Sequence, residues 1–198
     1  MYPKTITNLI ECFKKFPGVG EKSAERMALS CLNLDEETIK LFKESLENSK
    51  TKIKKCQRCG NLSEEDECQI CQDENRDQTT ICVVEESKNI VLFEKIGSFN
   101  GKYHVLGGLI SPLDGVNPDD INVDSLIKRI EEEKIKEIIL AVKPTIEGET
   151  TALYIRKLLE GKDVKITKIA HGIPMGADID YIDPLTLEIA LEGRSQIS

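Results

Sequence analysis

Four cysteines, arranged as Cys56-x2-Cys59 and Cys68-x2-Cys71 with eight residues between the pairs, are the densest chemistry in this chain. Thiolates at that spacing close a tetrahedral shell, the usual structural zinc site with no open position. Gly60 permits the turn that such a knuckle needs. Redox dithiol chemistry is the rival. It requires one pair at a helix start beside a thioredoxin-like sheet, and two pairs bracketing a polar loop do not fit that pattern. One structural zinc ion per chain is therefore expected. Glu64, Glu65, Asp66 and Glu67 lie between the pairs and are expected to be solvated, because thiolates already fill the shell. A second constellation is Pro17-Gly18-Val19-Gly20-Glu21-Lys22, with Arg26 one turn further on. Its two glycines allow a tight, left-handed turn. A helix starts there, and its free N–H groups and dipole favour an anion. Lys22 and Arg26, four apart, share one face and flank a bound phosphate. Gly18, Gly20, Lys22 and Arg26 are thus the candidate phosphate-binding residues.

The elements that position these residues are legible from apolar spacing. Ile6, Leu9, Ile10, Phe13 and Phe16 recur at helical intervals up to Pro17. Ala24, Met27, Ala28 and Cys31 give the next helix an apolar face. A longer helix starts near Asp35, with Ile39, Phe42 and Leu46 on one side. Residues 55–78 are too short and polar for a core of their own. From residue 79, strand and helix patterns alternate: strands at 79–85, 102–106, 137–142 and 164–170, helices at 87–96, 123–133 and 149–159. Alternation at this spacing implies βαβ units and a mostly parallel sheet. Asp183 followed by Pro184 reads as a helix start, after which Leu185, Ile189 and Leu191 form an amphipathic face suited to a subunit contact. The expected fold is an α+β chain in several parts. A helical region spans residues 1–54, a four-cysteine finger 55–78, an α/β domain 79–172 and a C-terminal segment 173–198. Cys12, Cys31 and Cys82 lie within apolar patterns and are expected in cores.

The net charge of −8 over 198 residues conceals an uneven distribution. Residues 1–55 carry 11 basic and 8 acidic side chains, a net of +3, whereas residues 56–78 carry 2 against 7 and residues 79–198 carry 14 against 20. Positive charge gathers with the glycine turn, as binding to a nucleic-acid backbone requires. Trp is absent and aromatic residues are 5% of the chain, which disfavours base stacking as the main contact. No apolar run approaches the ~20 residues of a membrane span. The odd total of seven cysteines fits a reducing, cytoplasmic setting. No GxxxxGK[ST] loop is present, so nucleotide binding is not expected.

The glycine turn between two helices resembles the helix-hairpin-helix motif, which grips DNA backbone without reading bases. The strand ending in Glu85, and the segment Lys143-Pro144-Thr145-Ile146-Glu147-Gly148-Glu149, resemble the Toprim domain of topoisomerases and primases. In that domain a glutamate and a DxD pair hold magnesium. Here Lys143 and Thr145 stand at the two DxD positions, a poor set for a hard cation. Helix-hairpin-helix, four-cysteine finger and degenerate Toprim domain, in that order, resemble the RecR family of bacterial recombination proteins. Further stretches agree, among them 103–106, 108–116 and 170–174. The family usually carries Asn where this chain has Lys143. The resemblance implies a non-catalytic recombination mediator that binds gapped DNA at Gly18, Gly20, Lys22 and Arg26. It implies action with RecO and RecF to help load RecA, and assembly as a dimer or ring-like tetramer. Glu85, Glu147 and Glu149 are the expected contacts for a protein partner, RecO foremost. The alternative reading is a magnesium-dependent Toprim nuclease or topoisomerase-like enzyme.

Overall fold

The computed structural model describes residues 2–194. The chain divides into two compact units, with the boundary between Ile53 and Lys54.

The first unit is three helices: α1 (Lys4–Phe13), α2 (Glu21–Cys31) and α3 (Glu36–Thr51). Ile6 and Ile10 of α1 pack on Ala24 and Ala28 of α2, with Leu9, Phe13, Val19 and Leu29 around them. The two alanines let the helix axes approach closely, since interaxial distance follows side-chain size at the contact. α1 ends at Phe13, earlier than the apolar pattern to Phe16 implied. Phe16 instead belongs to the turn, its N–H bonded to the Phe13 carbonyl. Asp35 caps α3 by accepting from the Thr38 N–H at 2.7 Å. No residue of α3 is buried, and its apolar face of Ile39, Phe42 and Leu46 stands open. Two of the expected core cysteines are not in a core: Cys12 is exposed and Cys31 half-buried, whereas Cys82 is buried. Cys12 sits two residues past Ile10, which on a helix is the opposite side.

The second unit opens with the short antiparallel pair β1 (Lys54–Lys55) and β2 (Leu62–Ser63), then α4 (Gln69–Gln72). A four-stranded sheet follows, built from β3 (Thr80–Val84), β4 (Lys102–Val105), β5 (Glu137–Ala141) and β6 (Lys165–Lys168) in the order β4-β3-β5-β6. All neighbours are parallel. The crossovers are α5 (Ser87–Ile96), α6 (Val123–Glu132) and α7 (Ile146–Leu158), and α8 (Pro184–Glu192) ends the described chain. One face of the sheet, with Ile81, Val83, Ile138 and Leu140, packs on Leu126 and Ile130 of α6 and Ile155 of α7. The other face, with Cys82, Val84, Tyr103 and Ala141, packs on Ile90 of α5. Covering on both faces is what the unbroken apolar run of β3 encodes. Val84 pairs with Ala141 in register, so the residues just past β3 and β5 share one edge.

α7 starts three residues before the expected Glu149, because Thr145 acts as its cap, accepting from the Gly148 N–H at 3.3 Å. Gly148 is buried, and a Cβ there would stand 1.9 Å from the Lys143 carbonyl oxygen. The helix can therefore begin directly against the strand-end loop. At α8, Asp183 accepts from the Thr186 N–H at 2.9 Å with Pro184 in the first turn. Leu185, Ile189 and Leu191 remain exposed there, with no cover among the described residues.

Candidate functional site

In the hairpin, Gly18 has φ of +80°, a left-handed conformation that favours glycine. Gly20 differs from the expectation that both glycines turn left-handed. Its φ of −84° and ψ of 173° are extended, and it serves as N-cap of α2. A Cβ at either glycine would meet no atom within 4 Å, so open space surrounds the turn. No side chain caps α2, which leaves its first N–H groups available to an outside acceptor. Lys22 and Arg26 are exposed and, with Glu25, Leu29, Ser30 and Asn33, line a shallow depression of about 340 Å³. Neither cation forms an ion pair among the described residues. Lys14, by contrast, is occupied by Glu11 at 2.9 Å and Glu21 at 2.7 Å. N–H groups with no side-chain cap and two cations unpaired among the described residues thus stand beside an open turn.

The sulfur ligands of Cys56, Cys59, Cys68 and Cys71 all lie within 4.8 Å of one another, and all four residues are buried. Four convergent thiols, with only Ile70 packed against them as a partly buried hydrophobic, fit one structural zinc ion. Gly60 makes the first knuckle's turn at φ of +76°, where a Cβ would also crowd the Val105 carbonyl at 3.0 Å. The knuckles are built into the sheet: the Val105 N–H donates to the Cys59 carbonyl at 2.7 Å. Lys102 reaches from β4 to the carbonyls of Ile70, Cys71 and Asp73. The acidic loop supplies no ligand among the described residues. Asp66 pairs with Lys54 and Glu67 lies 3.7 Å from Arg58.

At the carboxyl edge of the sheet, Glu85 and Lys143 meet: the ammonium donates to the Glu85 carboxylate at 3.0 Å. Lys143 thus places its own cation on the glutamate that a Toprim metal would use. Thr145 has its hydroxyl engaged by the start of α7. Glu147 and Glu149 occupy the first turn of that helix, where the dipole favours them. Glu147's own backbone N–H and the Thr145 hydroxyl hold its carboxyl below the usual carboxylate range. Glu149 is paired with Lys168 at 3.0 Å. Glu86, next to Glu85, is paired with Lys88 at 2.5 Å, which lowers its carboxyl pKa. Three of the edge's carboxylates, Glu85, Glu86 and Glu149, are thus matched by lysines, and Glu147 is held by hydrogen bonds instead.

Sequence reasoning missed three participants. Lys88 lies two residues past Glu86 at the start of α5 but carries no motif, whereas Lys168 lies on β6 and only the βαβ topology brings it here. Asp114 lies close enough to Glu147 to oppose its ionisation, and is held by the Ser111 hydroxyl at 2.6 Å. Its signal was the stretch at 108–116, which carried a resemblance but no role.

Among the described residues no helix is long and apolar enough to cross a membrane. Four family models match the chain in succession. They are a RecR helix-hairpin-helix at residues 6–50, a RecR four-cysteine zinc finger domain at 53–73, a Toprim domain at 79–170 and a RecR C-terminal region at 172–195.

Proposed function

The chain belongs to the RecR family, and from that premise we propose that it is a cytoplasmic DNA-binding mediator of recombinational repair without catalytic turnover of its own. The family's part in recombination and repair of DNA is the frame. The observation that carries the reading is the hairpin: an uncapped α2 start beside the unpaired Lys22 and Arg26. Backbone phosphates are the ligand these groups fit, so binding is independent of base sequence. One hairpin with two cations is a weak grip. Several copies on a dimer or ring-like tetramer multiply it by avidity, and the open apolar face of α3 supports such assembly. RecO and RecF are the protein partners in this reading, and loading of RecA at single-strand gaps is the outcome. Glu85, Glu147 and Glu149 form the partner-binding edge. Lys143, seated on Glu85, argues against the rival metal-dependent cleavage.

The test is a salt titration of binding to a gapped duplex by the wild type, Lys22→Ala, Arg26→Ala and the double variant. Each single variant is expected to weaken binding equally on unrelated sequences. On duplex regions each lost phosphate contact flattens the slope of log K against log salt by about 0.9, multiplied by the number of hairpins engaged. Unchanged affinity and slope in the double variant would remove the hairpin from DNA binding. Magnesium-dependent nicking that disappears in Glu85→Gln would replace the mediator with the enzyme.

A further inference from the structure

A zinc ion held by four thiolates is a dianion, and burying it in protein is costly unless positive charge lies close. Lys102 poses the complementary problem. It is fully buried, and among the described residues no carboxylate forms an ion pair with it. Its ammonium instead donates to three carbonyls of the second knuckle: Ile70 at 2.8 Å, Cys71 at 3.1 Å and Asp73 at 2.6 Å. The Cys71 carbonyl also accepts from the Arg58 guanidinium at 3.2 Å. Arg58 is steadied in turn by Glu133, 2.7 Å away, and Glu133 by the buried Arg129 of α6 at 3.0 Å. Two cations from different parts of the fold thus converge on the main-chain carbonyl of one zinc-ligating residue.

We propose that Lys102 and Arg58 are positioning residues of the zinc centre: they fix the Cys71 knuckle and supply the positive charge that offsets the tetrathiolate. Charge balance is thereby shared between a strand of the α/β sheet and the finger itself. The buried ammonium and the buried dianion are each tolerated because the other is present. Outer-shell partners of this kind govern how tightly a metal is held.

The experiment measures zinc transfer from the full-length chain to a chromogenic chelator, and the absorption of the cobalt(II)-substituted protein. Lys102→Met is expected to weaken zinc binding about 10- to 100-fold. Arg58→Met, at a half-buried position, should change it in the same direction by less. Removing a nearby cation raises the energy of the sulfur donor orbitals. The thiolate-to-cobalt charge-transfer bands of both variants should therefore move to longer wavelength. Ile155→Val, in the sheet core but outside the hydrogen-bond network of the zinc centre, should lower the melting temperature and leave both readouts at wild-type values. Wild-type zinc retention in Lys102→Met and Arg58→Met overturns the proposal, as does weakened binding with unmoved cobalt bands. An equal loss of zinc in Ile155→Val does so too. If Lys102→Met does not fold, Arg58→Met decides by the same criteria.

Discussion

Lys143 shows how one side chain redirects a site. The ammonium sits 3.0 Å from Glu85, so the edge carries its own counter-ion. Gly148 sets that geometry from below. Alanine there would drive a Cβ to 1.9 Å from the Lys143 carbonyl oxygen, and overpacking of this kind costs about 1–3 kcal/mol. Gly148→Ala is expected to lower stability in a denaturant titration by at least that amount and to displace Lys143 from Glu85. The motif that contains Gly148 was readable in sequence, but its reason was not, since a 1.9 Å approach exists only once strand and helix are assembled. His104 offers a second residue-scale expectation. It is fully buried in β4, with Nε2 bonded to the Asn122 carbonyl at 2.8 Å and Nδ1 without a partner. Burial pushes its pKa down to about 4; the Asn122 carbonyl and Glu133 oppose that shift, and Arg129 adds to it. The unfolded chain therefore takes up this proton first as pH falls. Stability is full above about 6.5, declines between about 6.5 and 4, and levels off below. Each pKa unit is worth about 1.4 kcal/mol, so wild type should lose up to about 3 kcal/mol more than His104→Gln across that window. Parallel declines in the two proteins would show that other groups dominate.

Among the elements, those with strong periodicity were legible: β3 and α5 fall within a residue of expectation, because an apolar run and a clean amphipathic pattern define them locally. α7 was misplaced by three residues because a threonine cap, not the hydrophobic pattern, sets its start. α3 has its expected face at Ile39, Phe42 and Leu46, yet that face stays exposed, with only Phe42 lining a depression shared with Phe13, Met27 and Leu34. Periodicity reveals that a face exists and is silent on what covers it. We expect that face to be covered by another copy of the chain. Phe42→Asp combined with Leu46→Asp should lower the mass measured by light scattering. DNA affinity should fall by about 100-fold or more as avidity is lost, while zinc content stays unchanged. An unaltered mass would assign the α3 face to something other than self-assembly.

On the scale of the whole molecule, a net charge of −8 looked unsuited to DNA, and its distribution resolved the conflict, with the first 55 residues at +3. Seven cysteines likewise pointed to a metal, and four of them converge. What composition does not convey is where the metal's influence ends. β4 is an outer strand of the sheet, and three of its main-chain groups are bonded away from the other strands. Tyr103 gives its carbonyl to Arg129, Val105 its N–H to the Cys59 carbonyl, and Val105 its carbonyl to Asn122. One of these three bonds is made by the zinc knuckle, so the knuckle covers part of that edge and Arg129 and Asn122 cover the rest. Open strand edges pair readily with other chains. Removing zinc by chelation, or substituting Cys59→Ser, is expected to lose helix and sheet signal late and to gain aggregates early. Their growth should rise with protein concentration and bind a cross-β dye. A metal-free chain that merely unfolds, clear and monomeric, would deny the knuckle that role. The aggregating outcome would make zinc supply a condition not only for the protein's shape but for its solitude: the ion would decide whether β4 ends the sheet or recruits the next molecule to extend it.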